Sequence, residues 1–330
     1  MKFWHGKKVV VTGAGGFIGS HLTQMLIKSG ADVKTIIHYN SRHDYGMLDY
    51  LPQELINELE IIQADLRDES TVRSFIKDTS FVFHLGALIA IPYSYQSPMD
   101  FIQTNVLGTT NVLNACRNTK ECRLIHTSTS EVYGTANYIP IDENHPLTAQ
   151  SPYSASKIAA DKIVESFHLS YDLETITIRP FNNYGPRQSA RAIIPTIISQ
   201  AILEETIKLG SLQPLRDLNY VEDISRGFLM LGATSDCIGK TINLGTGKSI
   251  SIGQLAEVIM DIMAINKEII SDSKRVRPEK SEVSELVADA SLAEELTGWK
   301  PEVSLREGLK NTIEWIEQNI MNFKTDHFVM

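Results

Sequence analysis

The first 180 residues alternate short apolar runs with segments whose apolar positions recur at helical spacing. Apolar runs rich in β-branched residues predict strands at 8–12, 32–38, 59–64, 81–85, 123–128 and 175–180. Between them, helical periodicity predicts helices at 19–29, 70–77, 100–118 and 152–169. Because alternating strands and helices build parallel sheets with both faces covered, we predict an α/β fold with a Rossmann-type doubly wound parallel sheet.

After Pro180 the pattern becomes irregular and rich in Gly, Pro and Asn. It predicts helices at 193–203, 252–263 and 292–296, and a strand–loop stretch at 207–221. We therefore expect a smaller C-terminal α/β domain that binds the substrate. The predicted Rossmann domain comprises residues 1–180 and about 219–247, and the second domain about 181–218 and 248–330.

Composition narrows the class of protein. The 330 residues include 31 Lys and Arg against 40 Asp and Glu, a net charge of −9 without a basic run, so we expect no nucleic-acid partner. The three cysteines are too few and too scattered for a disulfide framework or a zinc site, so we predict reduced thiols and no metal. The chain shows no signal peptide and no apolar stretch near the roughly 20 residues that span a bilayer. These features predict a cytoplasmic protein that binds no membrane.

A glycine-rich turn follows the first predicted strand. Gly13, Gly16 and Gly19 are spaced G-x-x-G-x-x-G between that strand and a helix start. Glycines permit a sharp turn and close backbone approach to a pyrophosphate, while the helix N-terminus offers free N–H groups to the phosphates. The context of a βαβ unit therefore predicts dinucleotide binding.

The end of the second strand bears on which dinucleotide binds. No carboxylate stands at its tip to accept from a ribose 2′-OH, whereas Asn40, Ser41 and Arg42 follow it and suit a 2′-phosphate. This favours NADP over NAD, although a solvated Arg42 in a surface loop is the alternative. Asp65, after the third strand, is placed to meet the adenine edge or simply to cap a loop.

Two further groups of side chains carry candidate chemistry. Tyr153 and Lys157 form Y-x-x-x-K on a predicted helix, one turn apart, and an ammonium near a tyrosine favours its phenolate. Such a phenolate takes a proton from a sugar hydroxyl while hydride leaves the same carbon. Thr129 and Glu131 follow the fifth strand, where Thr129 would hold the hydroxyl and Glu131 would act as base or acid; turn chemistry is the alternative.

Seven short motifs follow one another along the chain. They are TGAGGFIGSHL (12–22), HLGA (84–87), TSTSEVYG (127–134), SPYSASK (151–157), RPFNNYGPRQ (179–188), RDLNYVED (216–223) and RVRPEKSEV (275–283). In this order they resemble the extended short-chain dehydrogenase/reductases that act on nucleotide sugars. Within that superfamily the chain is most similar to the nucleotide-sugar 4,6-dehydratases, in particular those of legionaminic acid biosynthesis.

The resemblance implies roles for individual residues. Those implied to contact the dinucleotide are Gly13, Gly16, Phe17, Ile18, Asp65, Leu66, Leu85, Gly86, Ala87 and Asn105, with Tyr153 and Lys157 at the nicotinamide ribose. Thr129, Ser130 and Glu131 match the dehydratase active-site triplet. Asn182, Arg187, Arg216 and Arg277 match positions that hold the nucleotide diphosphate, the alternative for each arginine being a surface ion pair.

The pair Ser130-Glu131 departs from one branch of this family. Dehydratases of the dTDP-glucose type carry Asp-Glu there, whereas Ser-Glu resembles the GDP-mannose 4,6-dehydratases, which use NADP and a basic loop comparable to 40–42. Ser-Glu also occurs in UDP-glucuronate decarboxylases, but those carry Arg where this chain has Ile158. The 4-epimerases usually have a small residue at the position of Glu131.

The resemblance therefore implies a nucleotide-sugar 4,6-dehydratase acting on GDP- or UDP-linked N-acetylglucosamine. A 4-epimerase is the nearest alternative, followed by a decarboxylase and by a non-catalytic dinucleotide-binding protein. In this superfamily the helices at 100–118 and 152–169 pair across a dimer axis as a four-helix bundle, so we expect a homodimer. Packing within one subunit explains their apolar stripes nearly as well.

Overall fold

The fold is described from a computed structural model covering residues 2–41, 44–275 and 278–323. Its strands are β1 (Lys8–Thr12), β2 (Asp32–Ile37), β3 (Glu60–Gln63), β4 (Phe81–His84), β5 (Arg123–Thr127), β6 (Thr175–Pro180), β7 (Asn183–Tyr184), β8 (Ile207–Leu209), β9 (Leu215–Asp217), β10 (Asn219–Tyr220), β11 (Thr241–Leu244), β12 (Ser249–Ser251), β13 (Ile269–Ser271) and β14 (Glu285–Leu286). Its helices are α1 (Phe17–Lys28), α2 (Gln53–Ile56), α3 (Glu69–Ile76), α4 (Ile91–Gln96), α5 (Pro98–Phe101), α6 (Gly108–Arg117), α7 (Pro152–Tyr171), α8 (Ile193–Leu203), α9 (Val221–Ala233), α10 (Ile252–Ile262), α11 (Ser291–Thr297) and α12 (Leu305–Gln318).

Seven strands form one parallel sheet in the order β11-β6-β5-β4-β1-β2-β3. The order reverses direction at β1, as in doubly wound folds, so β1 lies between β4 and β2. Residues along β4 and β6 are buried throughout, as expected for strands covered on both faces. The predicted Rossmann-type α/β fold is confirmed.

The helix predicted at 100–118 is not a single α-helix. A π-helical segment (Ile102–Leu107) separates α5 from α6. Within this wider turn Asn105 is buried, accepting from Leu88 N (2.8 Å) and donating to Leu88 O and Ser156 Oγ (2.9 Å each). A periodicity of 3.6 residues cannot anticipate such a turn, because these contacts come from residues distant in sequence.

The C-terminal half contributes to two hydrophobic clusters. The first cluster contains buried residues of α1, α9 and β11. Helix α9 packs on α1, and β11 is the edge strand of the seven-stranded sheet, beside β6. Neither α9 nor β11 was predicted from the sequence. The helices α8, α10 and α12 enclose a second cluster with three small sheets, β12-β9-β14, β13-β8 and β10-β7. Helix α12 was also missed. The division of the chain into two domains stays a prediction.

Two further properties concern the described ranges 2–41, 44–275 and 278–323. No helix within them has the length and apolar character required to span a membrane. The three cysteines, Cys116, Cys122 and Cys237, are buried free thiols.

Candidate active site

A cavity of about 1100 Å³ lies at the carboxyl ends of the parallel strands and extends between the two clusters. One end is walled by the glycine-rich turn after β1, the loop after β4 and the triplet after β5. The other end is walled by residues after β6, by α8 and by the segment around β9. Ligands of open α/β sheets bind at this edge, near the point where the strand order reverses.

The glycine-rich turn matches the shape of a dinucleotide site. Gly13 has φ +73°, and a Cβ there would lie 2.7 Å from Gly86 N, while a Cβ at Gly19 would lie 2.2 Å from Gly13 O. Helix α1 begins after Gly16 without a side-chain cap, so its first N–H groups are available to a phosphate. Gly86 N donates to Thr12 Oγ1 (3.0 Å), which holds the loop after β4 against the turn. The residues present therefore fit a dinucleotide pyrophosphate.

Replacing Gly13 by alanine tests this fit. We expect dinucleotide binding to weaken by at least about tenfold, because the added methyl group would displace the Gly86 backbone from the turn. Gly298 is a matched control: it has the same φ of +73°, but nothing lies within 4 Å of a Cβ there. Titration of the purified variants with NAD and NADP would contradict the assignment if Gly13→Ala and Gly298→Ala bound equally well.

At the end of the cavity beside β2 and β3, Asp65 and Asn40 are on the wall, and the side chains of both are hydrogen-bonded to neighbouring residues. Arg67 Nη2 lies 2.6 Å from Asp65 Oδ2, and its hydrogen bonds lower the pKa of that carboxyl. Asn40 Nδ2 donates to Asp44 O (2.8 Å). Ser41 does not line the cavity, and Arg42 lies outside the described residues.

The tip of β2 carries no carboxylate, but a carboxylate from the loop that follows it reaches the same end of the cavity. Asp44 also lines the cavity, and its Oδ1 accepts from Gly46 N (3.3 Å) in the turn that follows β2. The sequence signal was the Asp-x-Gly pattern at 44–46, which is typical of a turn that returns toward the strand ends.

Apart from Ser41 and Arg42, the predicted dinucleotide residues divide into two groups. Those on the cavity wall are Gly13, Gly16, Phe17, Ile18, Asn40, Asp65, Leu66, Leu85, Gly86, Ala87 and Tyr153. Asn105 and Lys157 lie behind that wall, where both are buried. Their predicted contact with the dinucleotide stays a prediction.

Thr129, Ser130, Glu131 and Tyr153 converge on the same stretch of cavity wall. Helix α7 begins with the N-cap Ser151, whose side chain accepts from Ser154 N, and this cap sets Tyr153 in the first turn. Burial raises the pKa of the Tyr153 phenol, whereas a hydrogen bond with Thr129 acts in the opposite direction. A phenol, a hydroxyl and a carboxylate thus share one site.

Lys157 lies one helical turn below Tyr153, and its Nζ donates to Thr127 O at 2.7 Å. Burial lowers the pKa of Lys157 to about 8, and the charge of Asp161, one turn further along, opposes this shift. Although burial raises the pKa of Asp161, His126, Arg179 and Lys157 outweigh it and hold the pKa at about 2. The column under Tyr153 is therefore a network of buried charges, which the sequence analysis did not identify.

Of the four residues predicted to hold the nucleotide diphosphate, Asn182 and Arg216 line the far end of the cavity. Arg216 Nη2 lies 3.1 Å from Glu282 Oε1. Arg187 is buried away from the cavity wall, bonded to helix α1. Arg277 lies outside the described residues. Arg191 and Arg275 also line the cavity and were not predicted as site residues. Arg191 stands three residues after the motif at 179–188, and Arg275 is the first residue of the motif at 275–283.

The fold and this cavity define a dinucleotide-dependent enzyme of the extended short-chain dehydrogenase/reductase type. The chain belongs to the GDP-mannose 4,6 dehydratase family, whose model matches residues 10–312. It is thus an enzyme of the NAD-dependent nucleotide-sugar dehydratases and epimerases.

Relatives of both activities are comparably similar. The UDP-glucose 4-epimerase of Mycolicibacterium smegmatis is 31% identical over 315 residues, 93% of this chain and 98% of that protein. A double mutant of the Streptomyces venezuelae dTDP-glucose 4,6-dehydratase, solved with NAD bound, has a TM-score of 0.85 at 26% identity, covering 96% and 98% of the two chains. The Bacillus cereus UDP-glucuronic acid 4-epimerase, solved with UDP-glucuronic acid and NAD, has a TM-score of 0.87 at 28% identity, covering 94% and 99%.

Proposed function

We propose that this protein is a nucleotide-sugar 4,6-dehydratase that converts GDP- or UDP-N-acetylglucosamine into a 4-keto-6-deoxy sugar. The observation that carries the proposal is Glu131, a carboxylate on the cavity wall beside Tyr153 and Thr129. A dehydratase needs a base for C5 and an acid for the C6 hydroxyl in addition to the base for O4, whereas an epimerase needs only the last. The choice of sugar rests on the resemblance to the dehydratases of legionaminic acid biosynthesis.

The first step takes place at C4. Tyr153, as phenolate, removes the proton from O4, and Thr129 holds the same oxygen by a hydrogen bond. When bound, the nicotinamide dinucleotide accepts hydride from C4 and later returns it to C6. Burial raises the pKa of the Tyr153 phenol, and in this proposal the ammonium of Lys157, whose Nζ donates to Thr127 O one helical turn away, and the positive charge of the oxidised nicotinamide when bound offset that effect. The product of this step is the 4-ketone.

The second step removes water. The 4-ketone acidifies the C5 hydrogen, which Glu131 takes as a proton. The C6–O bond then breaks, and the departing hydroxyl receives that proton from Glu131 directly or through Ser130. After hydride has returned to C6, a solvent proton restores C5. One water is lost, and there is no net oxidation of the sugar or reduction of the dinucleotide.

Product analysis in deuterated water tests the whole sequence. We would incubate the protein and added NADP or NAD with GDP-GlcNAc, UDP-GlcNAc, GDP-mannose and dTDP-glucose separately. The proposal predicts loss of one water from one N-acetylglucosamine nucleotide and one deuterium at C5 of the product, by mass spectrometry and NMR. A product of unchanged mass would contradict it.

The second candidate is a nucleotide-sugar 4-epimerase, favoured by the similarity of the full-length epimerase relatives. An epimerase returns hydride to C4 from the opposite face and leaves the C5 hydrogen in place. The same experiment would then give a C4-inverted sugar without deuterium at C5.

For the cofactor we propose NADP, on the strength of the Asn40, Ser41 and Arg42 pattern. The competing feature is Asp44 on the same wall, since a carboxylate would repel a 2′-phosphate. We expect NADP to bind about tenfold more tightly than NAD in a titration of cofactor-free protein. Tighter binding of NAD would overturn this choice.

We also propose a homodimer formed through the 98–117 segment and α7. Apolar Met99, Ile102 and Leu107 are exposed along that segment, and Leu169 is 76% exposed on α7. Changing Ile102 to glutamate is expected to weaken dimerisation by about 100-fold or more, measured by light scattering across a concentration series. Met321→Glu, at an exposed apolar residue elsewhere, is the control. A monomeric wild type would contradict the proposal.

A further inference from the structure

Arg187 lies in the loop between β7 and α8 and connects that loop to helix α1. Arg187 is only 7% exposed, and it does not line the cavity. One of its terminal nitrogens, Nη2, donates to Gln24 Oε1 (2.7 Å) and to His21 Nδ1 (2.8 Å). Both acceptors belong to α1, more than 160 residues away in sequence.

His21 fixes this connection from the other side. Because its Nδ1 accepts from Arg187, its Nε2 carries the hydrogen and donates to Pro186 O at 2.9 Å. Burial lowers the pKa of His21 to about 3, and the charge of Arg187 adds to this, so the imidazole stays neutral and keeps this tautomer at physiological pH. One histidine thus binds two consecutive residues of the loop.

The elements joined in this way belong to different ends of the cavity. Helix α1 carries the N–H groups that face a dinucleotide phosphate, and His21 lies one turn beyond Phe17. The residues that follow Arg187, namely Gln188, Ser189 and Arg191, line the substrate end. Arg187 itself has φ +67°, a left-handed conformation unfavourable for a residue with a Cβ, so its side-chain contacts hold the loop in that shape.

We propose that Arg187 is a positioning residue for the nucleotide end of the substrate site, acting through His21 and Gln24 rather than by touching the diphosphate. It fixes the 188–191 stretch relative to α1 and so shapes the site from outside the cavity wall. The proposal rests on the nucleotide-sugar site of the proposed function, but not on which reaction that site performs.

A double-mutant cycle tests it, using UDP and GDP as probes and the protein with its bound cofactor. We expect Arg187→Ala and His21→Ala each to weaken the affinity for the nucleoside diphosphate, measured by calorimetry, by about tenfold, although neither side chain lines the cavity. The double variant should bind no more than about twofold more weakly than Arg187→Ala alone, because both changes break the same connection.

Arg226→Ala is the matched control. Arg226, on α9, lies 3.3 Å from Glu302 Oε1, a residue distant in sequence, and 2.8 Å from Asp223 Oδ1 on its own helix, but it does not line the cavity. It should lower the melting temperature while leaving nucleotide affinity within about twofold of wild type.

Two outcomes would overturn the proposal. If Arg187→Ala but not His21→Ala weakened nucleotide affinity, Arg187 would be in direct contact with the ligand. If neither variant changed nucleotide affinity, Arg187 would have no positioning role. If the wild type bound neither UDP nor GDP, the proposed nucleotide-sugar site would be contradicted. If the wild type bound them but did not dehydrate any nucleotide sugar, only the proposed reaction would be contradicted, and the double-mutant cycle would still test the role of Arg187.

Discussion

Replacement of Glu131 by glutamine is expected to lower the rate of 4-keto-6-deoxy sugar formation by about 10²–10⁴-fold. Glutamine preserves the size of the side chain and its place on the cavity wall, but it cannot take the proton from C5 or carry it to the leaving hydroxyl. Oxidation at C4 does not involve Glu131. The variant should therefore accumulate reduced dinucleotide with the 4-keto sugar, visible as near-ultraviolet absorbance in a single turnover.

Ser130→Ala provides the control for this prediction, since Ser130 is a buried neighbour in the same turn. We expect it to remain within about tenfold of wild type, because a proton can pass from Glu131 to the leaving hydroxyl without it. Full turnover by Glu131→Gln would remove the dehydratase assignment. If that variant and the wild type both inverted C4 at equal rates, the epimerase would be established in its place.

Replacement of Tyr153 by phenylalanine is expected to lower turnover by a comparable factor, about 10²–10⁴-fold, at the earlier step. The ring remains available to pack edge-on against Phe101 at a centroid distance of 6.2 Å, but the base for O4 is gone. Unlike Glu131→Gln, this variant should accumulate no reduced dinucleotide, and neither variant should place deuterium at C5. Product and cofactor spectra from one single-turnover experiment would separate the two variants.

Tyr93→Phe is the matched control, because Tyr93 is also on the cavity wall and its hydroxyl is already bonded to Asp100 Oδ2 at 2.7 Å. We expect it to retain activity within about tenfold of wild type. The proposed role of Tyr153 would be contradicted if Tyr153→Phe still reduced the dinucleotide at the wild-type rate. Retained cofactor binding in both variants would show that the loss concerns chemistry rather than assembly of the site.

The fold was predictable where its signals are local. The strands at β1, β4 and β6 appear as continuous apolar runs, and the helix α7 begins at a Ser-Pro pair that caps it. The elements α9 and β11 were missed because the sequence around them is less regular. Their position against α1 and β6 depends on contacts with residues more than 60 positions away.

The candidate site shows the same division. The glycine spacing at 13–19 and the Tyr153–Lys157 spacing are set within one or two turns, so they could be identified from the chain alone. The motif around Arg187 was identified too, but its side chain points to His21 instead of the cavity. Asp44 is the opposite case. It lies outside all seven motifs, but the loop after β2 brings it to the cavity wall.

The kind of sheet, the dinucleotide turn and the residue types available for proton transfer can be derived from the chain alone, because periodicity, glycine spacing and helical pairs act over a few residues. Which of those residues face one another depends on how distant segments pack. The buried column of Lys157, Asp161 and Arg179 beneath Tyr153, and the connection of Arg187 to α1, arise from packing between distant segments. The direction of a side chain depends on its tertiary contacts, and the adjacent residues in the sequence do not specify those contacts.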